Sequence, residues 1–325
     1  MAWTWQDGER TIRFGRGTVA TLPELRDDGY VLLSTERALA GLPQVAERAG
    51  TVLHVPPGRV DEIAEELLGQ LPTEPELVAL GGGRVIDTAK ALGAVTGARV
   101  AAIPTTLSAA EMTAIHRLPT SATPGTALVR PALVVNDPDL CASQPPEGLA
   151  ASAANALGHA VEGPTTTLAS PVPSLAGEEA ARLIDAAYLV DGEDPTHRGR
   201  EQLALAALLS GYTIDATKYG LHHVLSQTLV RLGGAGHGPA NAAMLPHTIA
   251  ALERRAPGHV DPDGSLQALA RDLAARAGAT RLRDLGVEQD ALARCAAAAK
   301  DRPELHLTPP PADEAELLAL YEAAW

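Results

Sequence analysis

The sequence predicts two domains: an α/β domain built on a parallel sheet over residues 1–145 and an all-helical domain over 146–325. Three observations predict this. Short apolar runs alternate with amphipathic stretches through the first half, the pattern of strands buried on both faces and covered by helices. A triple glycine, Gly81-Gly82-Gly83, closes one of those runs and leads into a helical stretch. Beyond Pro145-Pro146 the chain becomes Ala/Leu-rich with helical periodicity.

Each element follows in order. A hairpin is expected over 11–21, then a buried strand Tyr30-Val31-Leu32-Leu33-Ser34 and a short helix over 43–49, where a proline fits the first turn. Residues 51–55 read as a strand, 60–71 as an amphipathic helix, and Leu77-Val78-Ala79-Leu80 as a strand running into the glycines. A helix over 84–93 and a strand Val100-Ala101-Ala102-Ile103, stopped by Pro104, come next. Val134-Val135-Asn136-Asp137-Pro138 is the last strand and the exit from the domain. The helical half reads as 147–163, 174–190, 199–231, 239–254, 264–277, 288–300 and 312–324, the last introduced by Pro309-Pro310-Pro311.

Composition narrows the function classes. Residues are 46% hydrophobic but only 3% aromatic, so Ala, Leu and Val must build the core, which suits packed helices and a parallel sheet. A net charge of -14 argues against nucleic acid and anionic membrane as partners. No apolar run approaches the ~20 residues that span a bilayer, and no basic-then-apolar leader opens the chain. Cys141 and Cys295 have no motif around them and read as reduced thiols of a cytoplasmic protein.

Gly81, Gly82 and Gly83, at a strand end and a helix start, suit close approach of backbone N–H groups to a phosphate. The loop is neither G-x-G-x-x-G nor a P-loop. Asp87 reads as a hydrogen-bond acceptor for ribose or backbone. Glu36 follows the first parallel strand, where an acid accepts ribose hydroxyls and repels a 2′-phosphate; this favours NAD(H) over NADP(H).

The helical half holds the other candidates. Asn155 and His159 are four apart and share a helix face. His222, His223 and His237 add three imidazoles, the last beside Gly238. Imidazoles at these spacings in an apolar domain need partners or a function. His159, His223 and His237 are the ligands if a metal binds, but Asn155 offers an amide where a carboxylate would hold iron or zinc far better, so a metal-free site is favoured.

Together these residues resemble the iron-containing alcohol dehydrogenase family. The resemblance is carried by Gly81-Gly82-Gly83-x3-Asp87-x2-Lys90, Ile103-Pro104-Thr105-Thr106, Asn155-x3-His159-Ala160-x-Glu162, and His223-x13-His237-Gly238-x2-Asn241-x4-Pro246-His247. It implies a dehydroquinate-synthase-like fold: a Rossmann-like nucleotide-binding α/β domain, a helical catalytic domain and a cleft between them. Thr105, Thr106 and Ser108 would join the glycine loop in holding the cofactor.

Within the family the chain looks most like the maleylacetate reductases. The shorter spacing of Pro104-Thr105-Thr106-x4-Glu111-Met112-Thr113, the Asn155, the pair His222-His223 and the final helix all point to that branch. The resemblance implies hydride transfer from NAD(P)H to a C=C bond conjugated to a ketone. His222, His223 and His237 would be the acid and electrophilic groups, and Asn155, His159, Lys218 and Gln227 would lie near the substrate. A small carboxylate wants cations, and Arg117, Lys218 and Arg231 are available. A homodimer is implied as well.

Departures are visible. Ala109 and Ala110 stand where the family has Gly and Ser, and Gln227 stands where a histidine is usual. Two other readings follow: a metal-dependent alcohol dehydrogenase acting on a small alcohol or aldehyde, and a non-redox relative using the site for elimination, cyclisation or binding.

Overall fold

The computed structural model describes residues 2–22, 27–188 and 197–325. The chain divides into two compact units, Met1–Ser143 and Gln144–Trp325.

In the first unit the described residues form a seven-stranded sheet: β1 (Trp3–Asp7), β2 (Arg10–Phe14), β3 (Tyr30–Ser34), β4 (Ala49–His54), β5 (Leu77–Gly81), β6 (Val100–Pro104) and β7 (Leu133–Asn136). The order is β1-β2-β7-β6-β5-β3-β4, and every neighbour pair is parallel except β1 with β2. β3, β5, β6 and β7 are buried along their whole length, as their unbroken apolar runs require. Alternate side chains feed two cores: Val31, Leu33, Leu77 and Ala79 pack on one face, and Tyr30, Leu32, Val78 and Leu80 on the other. The chain leaves β3 for β4 on one side and β5 for β6 on the other, so the connections diverge between β3 and β5. Such a switch point opens a crevice at the strands' carboxyl ends, and Thr35-Glu36 and Gly81-Gly82-Gly83 lie there.

Several expectations need correction. The hairpin is β1 with β2, joined at Gly8-Glu9; what was expected of 11–21 is instead the second strand followed by a 3-10 turn, Thr18–Thr21. A helix Glu36–Gly41, capped by the Thr35 hydroxyl accepting from Ala38 N, follows β3, while Pro43–Arg48 is 3-10. β7 ends at Asn136 because Asp137 caps a short helix, Pro138–Cys141, through the Asp139 amide.

The second unit is helical. Helix Pro146–Glu162 is buried almost throughout from Leu149 to Glu162. Around it lie Pro171–Tyr188, His197–Thr217, Leu221–Thr228, His237–Arg255, Ser265–Arg276, Gln289–Lys300 and Glu314–Ala324. The helix expected over 174–190 begins earlier, and its last two residues lie outside the described residues. The single helix expected over 199–231 is broken: Lys218 adopts φ 57°, and Leu221 N donates to Thr308 Oγ1 (3.2 Å), starting a new helix that ends in a π turn, Leu229–Gly233.

Candidate active site

In the first unit the glycine loop ends β5 and starts the helix Gly83–Thr96, whose N-cap Gly82 has no side-chain cap. Its first N–H groups therefore lack intrahelical acceptors. Thr105 N donates to Gly81 O (2.9 Å), tying the loop to the end of β6. A Cβ on Gly82 would lie 2.9 Å from Thr106 Cγ2, so only glycine fits against that threonine. The buried Thr105 and Thr106 hydroxyls have no hydrogen-bond partner among the described residues. Beside the loop a cavity of about 660 Å³ is lined by Glu36, Arg37, His54, Gln70 and Arg84. Orphaned donors at a helix start, next to a cavity bearing an acid, fit the pyrophosphate and ribose of a dinucleotide.

Asp87 turns elsewhere. Its Oδ1 lies 2.7 Å from the buried Lys90 Nζ, which donates to Ala110 O (2.8 Å) and Thr113 O (2.9 Å). The pair staples the loop that carries Ser108, and Ser108 Oγ accepts from Ala110 N (3.4 Å). In that loop Ala109 sits at φ 61°, in the left-handed region. Glu111 is fully buried, its carboxyl oxygens meet no other residue's donor among the described residues, and burial raises it to about 7 against the pull of its own backbone N–H, Lys90 and Arg10.

The second unit brings the histidines together. The Ala-rich helix Pro146–Glu162 places Asn155, His159 and Glu162 along one face. Helix Leu221–Thr228 brings His222 and His223 against it: the His159 and His223 rings stack at 4.7 Å, and His222 meets His223 edge-on at 4.8 Å. Glu162 anchors both. Its Oε1 accepts from His222 N (2.6 Å), and its Oε2 lies 2.6 Å from His223 Nδ1. Gly158 makes room for the pair, since a Cβ there would lie 2.7 Å from His222 Nε2.

These contacts assign tautomers. The Thr248 hydroxyl donates to the Met244 and Leu245 carbonyls, so its oxygen accepts from His222 Nδ1 (2.9 Å). His223 Nδ1 donates to the Glu162 carboxylate, leaving its Nε2 without a protein partner. Asn155 Nδ2 faces His159 Nε2 at 3.5 Å, which puts the His159 proton on Nδ1; that Nδ1 and Asn155 Oδ1 are likewise unpartnered. Each such buried orphan costs about 1–3 kcal/mol until something pairs with it.

Burial dominates the electrostatics. It drives His222 and His223 down to about 3 and His159 well below its ordinary value, so all three imidazoles are neutral at neutral pH. It raises Glu162 to about 7, against the lowering pull of His222 and of backbone N–H groups. His237, at the start of its helix, keeps a solvent-exposed surface, yet burial of its ring lowers it below its ordinary value as well.

A metal fits poorly here. Among the described residues no group of three His, Cys, Asp or Glu converges on one point. His159, His223 and His237, the ligands expected if a metal binds, do not form such a centre.

Of the other expected substrate residues, Gln227 lies one turn beyond His223, where its Oε1 accepts from Arg302 Nη2 (3.2 Å). Lys218 is exposed and donates to Asp215 O (2.5 Å), so it caps the preceding helix instead of joining the histidines. Arg117 is exposed and pairs with Asp61 (3.6 Å). Sequence reasoning missed two groups. Glu162 was visible only as the end of the Asn155-x3-His159 motif, with no local sign that it holds two histidines. Arg302 had no signal at all.

A parallel α/β unit with a phosphate-ready glycine loop, joined in one chain to a helical unit holding neutral buried imidazoles, defines an NAD(P)-dependent oxidoreductase. Family models agree: "Iron-containing alcohol dehydrogenase" matches residues 42–145, and "Fe-containing alcohol dehydrogenase family, C-terminal" matches residues 149–262. Maleylacetate reductase of Sphingobium indicum is 32% identical, over 96% of this chain and 94% of that protein. Maleylacetate reductase 1 of Rhodococcus opacus is 30% identical, over 98% and 90%. The crystal structure of maleylacetate reductase from Agrobacterium tumefaciens matches with a TM-score of 0.85 at 27% identity, over 99% of this chain and 97% of that one. The chain belongs to the iron-containing alcohol dehydrogenase family, in its maleylacetate reductase branch.

Proposed function

We propose that the protein reduces a C=C bond conjugated to a ketone in a small carboxylate, the maleylacetate-to-3-oxoadipate type of reaction, with NADH preferred over NADPH. The observation that carries this reading is the set of orphaned atoms in the second unit: a donor (His159 Nδ1), an acceptor (Asn155 Oδ1) and a relay terminus (His223 Nε2). The nicotinamide cofactor, when bound, supplies the hydride. Gly81, Gly82, Gly83, Thr105, Thr106 and Ser108 would hold its phosphates, and Glu36 would accept from its ribose.

His159 Nδ1–H donates to the ketone oxygen and stabilises the enolate as charge develops there. Glu162 and His223 titrate as a unit. Below about pH 7 the pair carries a second proton: the Glu162 carboxyl donates to Nδ1 and Nε2 bears N–H. His223 Nε2 delivers that proton to the α-carbon of the enolate while Nδ1 takes the Glu162 proton. Water restores the lost proton after release. His222 holds the pair in place from behind, and His237 lines the solvent side.

Titration with NADH and NADPH followed by maleylacetate-dependent NADH oxidation tests the reading. Saturable NADH binding and chelator-resistant turnover are expected. No cofactor binding at millimolar concentration removes every redox reading, and activity lost to a chelator and restored by iron or zinc removes the metal-free one. We also propose a homodimer, on the family resemblance, which sedimentation checks. We place the enzyme in the cytoplasm; its two cysteines, both buried free thiols, support a reducing compartment.

A further inference from the structure

We propose that the guanidinium of Arg302 anchors a carboxylate of the substrate. The inference rests on the reductase reading and names the cation that reading requires. Arg302 precedes the turn Pro303–Leu307 and reaches the helix of His223. Its Nε donates to Glu304 Oε2 (2.9 Å), and its Nη2 faces Glu304 Oε1 (2.9 Å), Gln227 Oε1 (3.2 Å) and the Tyr219 hydroxyl (3.3 Å). Its Nη1, with two N–H bonds, is buried and has no acceptor among the described residues.

A structural arginine of this fold behaves differently. Arg255 donates from Nη1 to Ala251 O and Glu316 Oε1, from Nη2 to Glu316 Oε2 and from Nε to Pro310 O, so each edge is closed. Arg302 is held through Nε and Nη2 by Glu304, Gln227 and Tyr219, which leaves the two N–H groups of Nη1 for a further acceptor. The side chain keeps 15% of its surface exposed.

Location makes the anion a substrate group. The Tyr219 ring lies 5.8 Å from the His223 ring, and its hydroxyl touches Arg302. Gln227, the other neutral partner, sits one helical turn from His223. One phenol ring therefore separates the guanidinium from the imidazole, a span that a few carbon atoms of a small dicarboxylate cover. Gln227 and Tyr219 present uncharged oxygens to Nη2, so they position the group without cancelling its charge. Among the described residues Glu304 is its anionic partner.

The test is calorimetric titration of the NADH-bound protein with maleate, an unreactive dicarboxylate. Arg302→Gln should bind maleate roughly 10- to 100-fold more weakly, the loss of a hydrogen-bonded ion pair, with Arg302→Lys between it and wild type and NADH affinity unchanged in both. Glu304→Gln, which frees the guanidinium from its competing carboxylate, should bind maleate more tightly. This gain is what a merely structural Arg302–Glu304 pair would not give, and it decides the matter should Arg302→Gln not fold. Wild-type maleate affinity in a folded Arg302→Gln, weaker binding in Glu304→Gln, or no maleate binding by wild type overturns the anchor. Arg302-dependent maleate binding without enone reduction removes the reductase reading alone. Maleylacetate reduction with an unchanged KM in Arg302→Gln removes the anchor alone.

Discussion

Replacing Glu162 with Gln should cost the enzyme its proton relay while leaving both ligands bound. The carboxylate uses two oxygens, one for His222 N and one for His223 Nδ1, each at 2.6 Å. Glutamine has the same shape but one acceptor. The His222 backbone N–H has no other use than to donate, so the amide oxygen turns to it and the NH₂ turns to His223. Nδ1 must then accept, and the imidazole is locked with its proton on Nε2 and no acid behind it. Two charge-assisted bonds become neutral ones, a loss of about 1.5–3 kcal/mol for each at most. General acid catalysis contributes about 10²- to 10⁴-fold, so kcat should fall by at least about 100-fold, roughly 3 kcal/mol of barrier. The assay is steady-state NADH oxidation across neutral pH. In wild type the protonated pair is the donor, so kcat is high below about pH 7 and falls as Glu162 ionises above it. In Glu162→Gln that inflection disappears, while NADH and maleate affinities hold. A variant that keeps the inflection near pH 7 and the wild-type rate refutes the relay.

Other predictions follow from single contacts. Gly158→Ala should lower stability by about 1–3 kcal/mol, because the added methyl overpacks His222 and outweighs a helix-propensity gain of about 1 kcal/mol; a thermal melt at or above wild type would show that the ring moves freely. Ala109→Gly should stabilise by about 0.5–1 kcal/mol, since Ala109 holds a left-handed φ of 61° that glycine adopts without the steric cost; denaturant unfolding gives the sign. Glu111 is raised from 4.5 to about 7, so it binds its proton more tightly folded than unfolded. Its contribution to stability is full below pH 4.5 and lost as pH rises through 7. Relative to wild type, Glu111→Gln should therefore gain about 3 kcal/mol between those limits, and parallel stability curves for the two proteins would rule this out.

How far the sequence foretold this structure depends on the range of the interaction. β3, β5 and β6 were legible because a strand buried on both faces must be apolar throughout, and the triple glycine marked the crevice end of β5. Asn155 and His159 were legible because one helix sets their spacing. The break at Lys218 was not, since apolar periodicity runs on through it and the contact that starts the next helix comes from Thr308, 87 positions from Leu221. Glu162 was legible as a letter in a motif but not as a partner, because its two bonds reach 60 and 61 residues along the chain. Arg302 meets Gln227 across 75 residues. Asp87 misled because a carboxylate after a glycine loop suits a ribose equally well until the buried Lys90 is seen to claim it.

The charge balance of the site explains why its cation lies apart from its imidazoles. Desolvation holds His159, His222 and His223 neutral, and the Glu162 carboxylate that His222 and His223 share adds negative charge as it ionises. An aspartate at position 155 would bring a second anion into the same low-dielectric pocket, whereas Asn155 does not. Neutral imidazoles polarise a carbonyl and pass a proton, but they cannot balance an anionic substrate. A permanently charged guanidinium beyond Tyr219 can, and its distance keeps it from depressing the histidines or trapping the Glu162 carboxylate in its ionised form. The reaction needs a proton at His223 near neutral pH and a positive charge where the substrate carboxylate sits, and a single residue could not supply both.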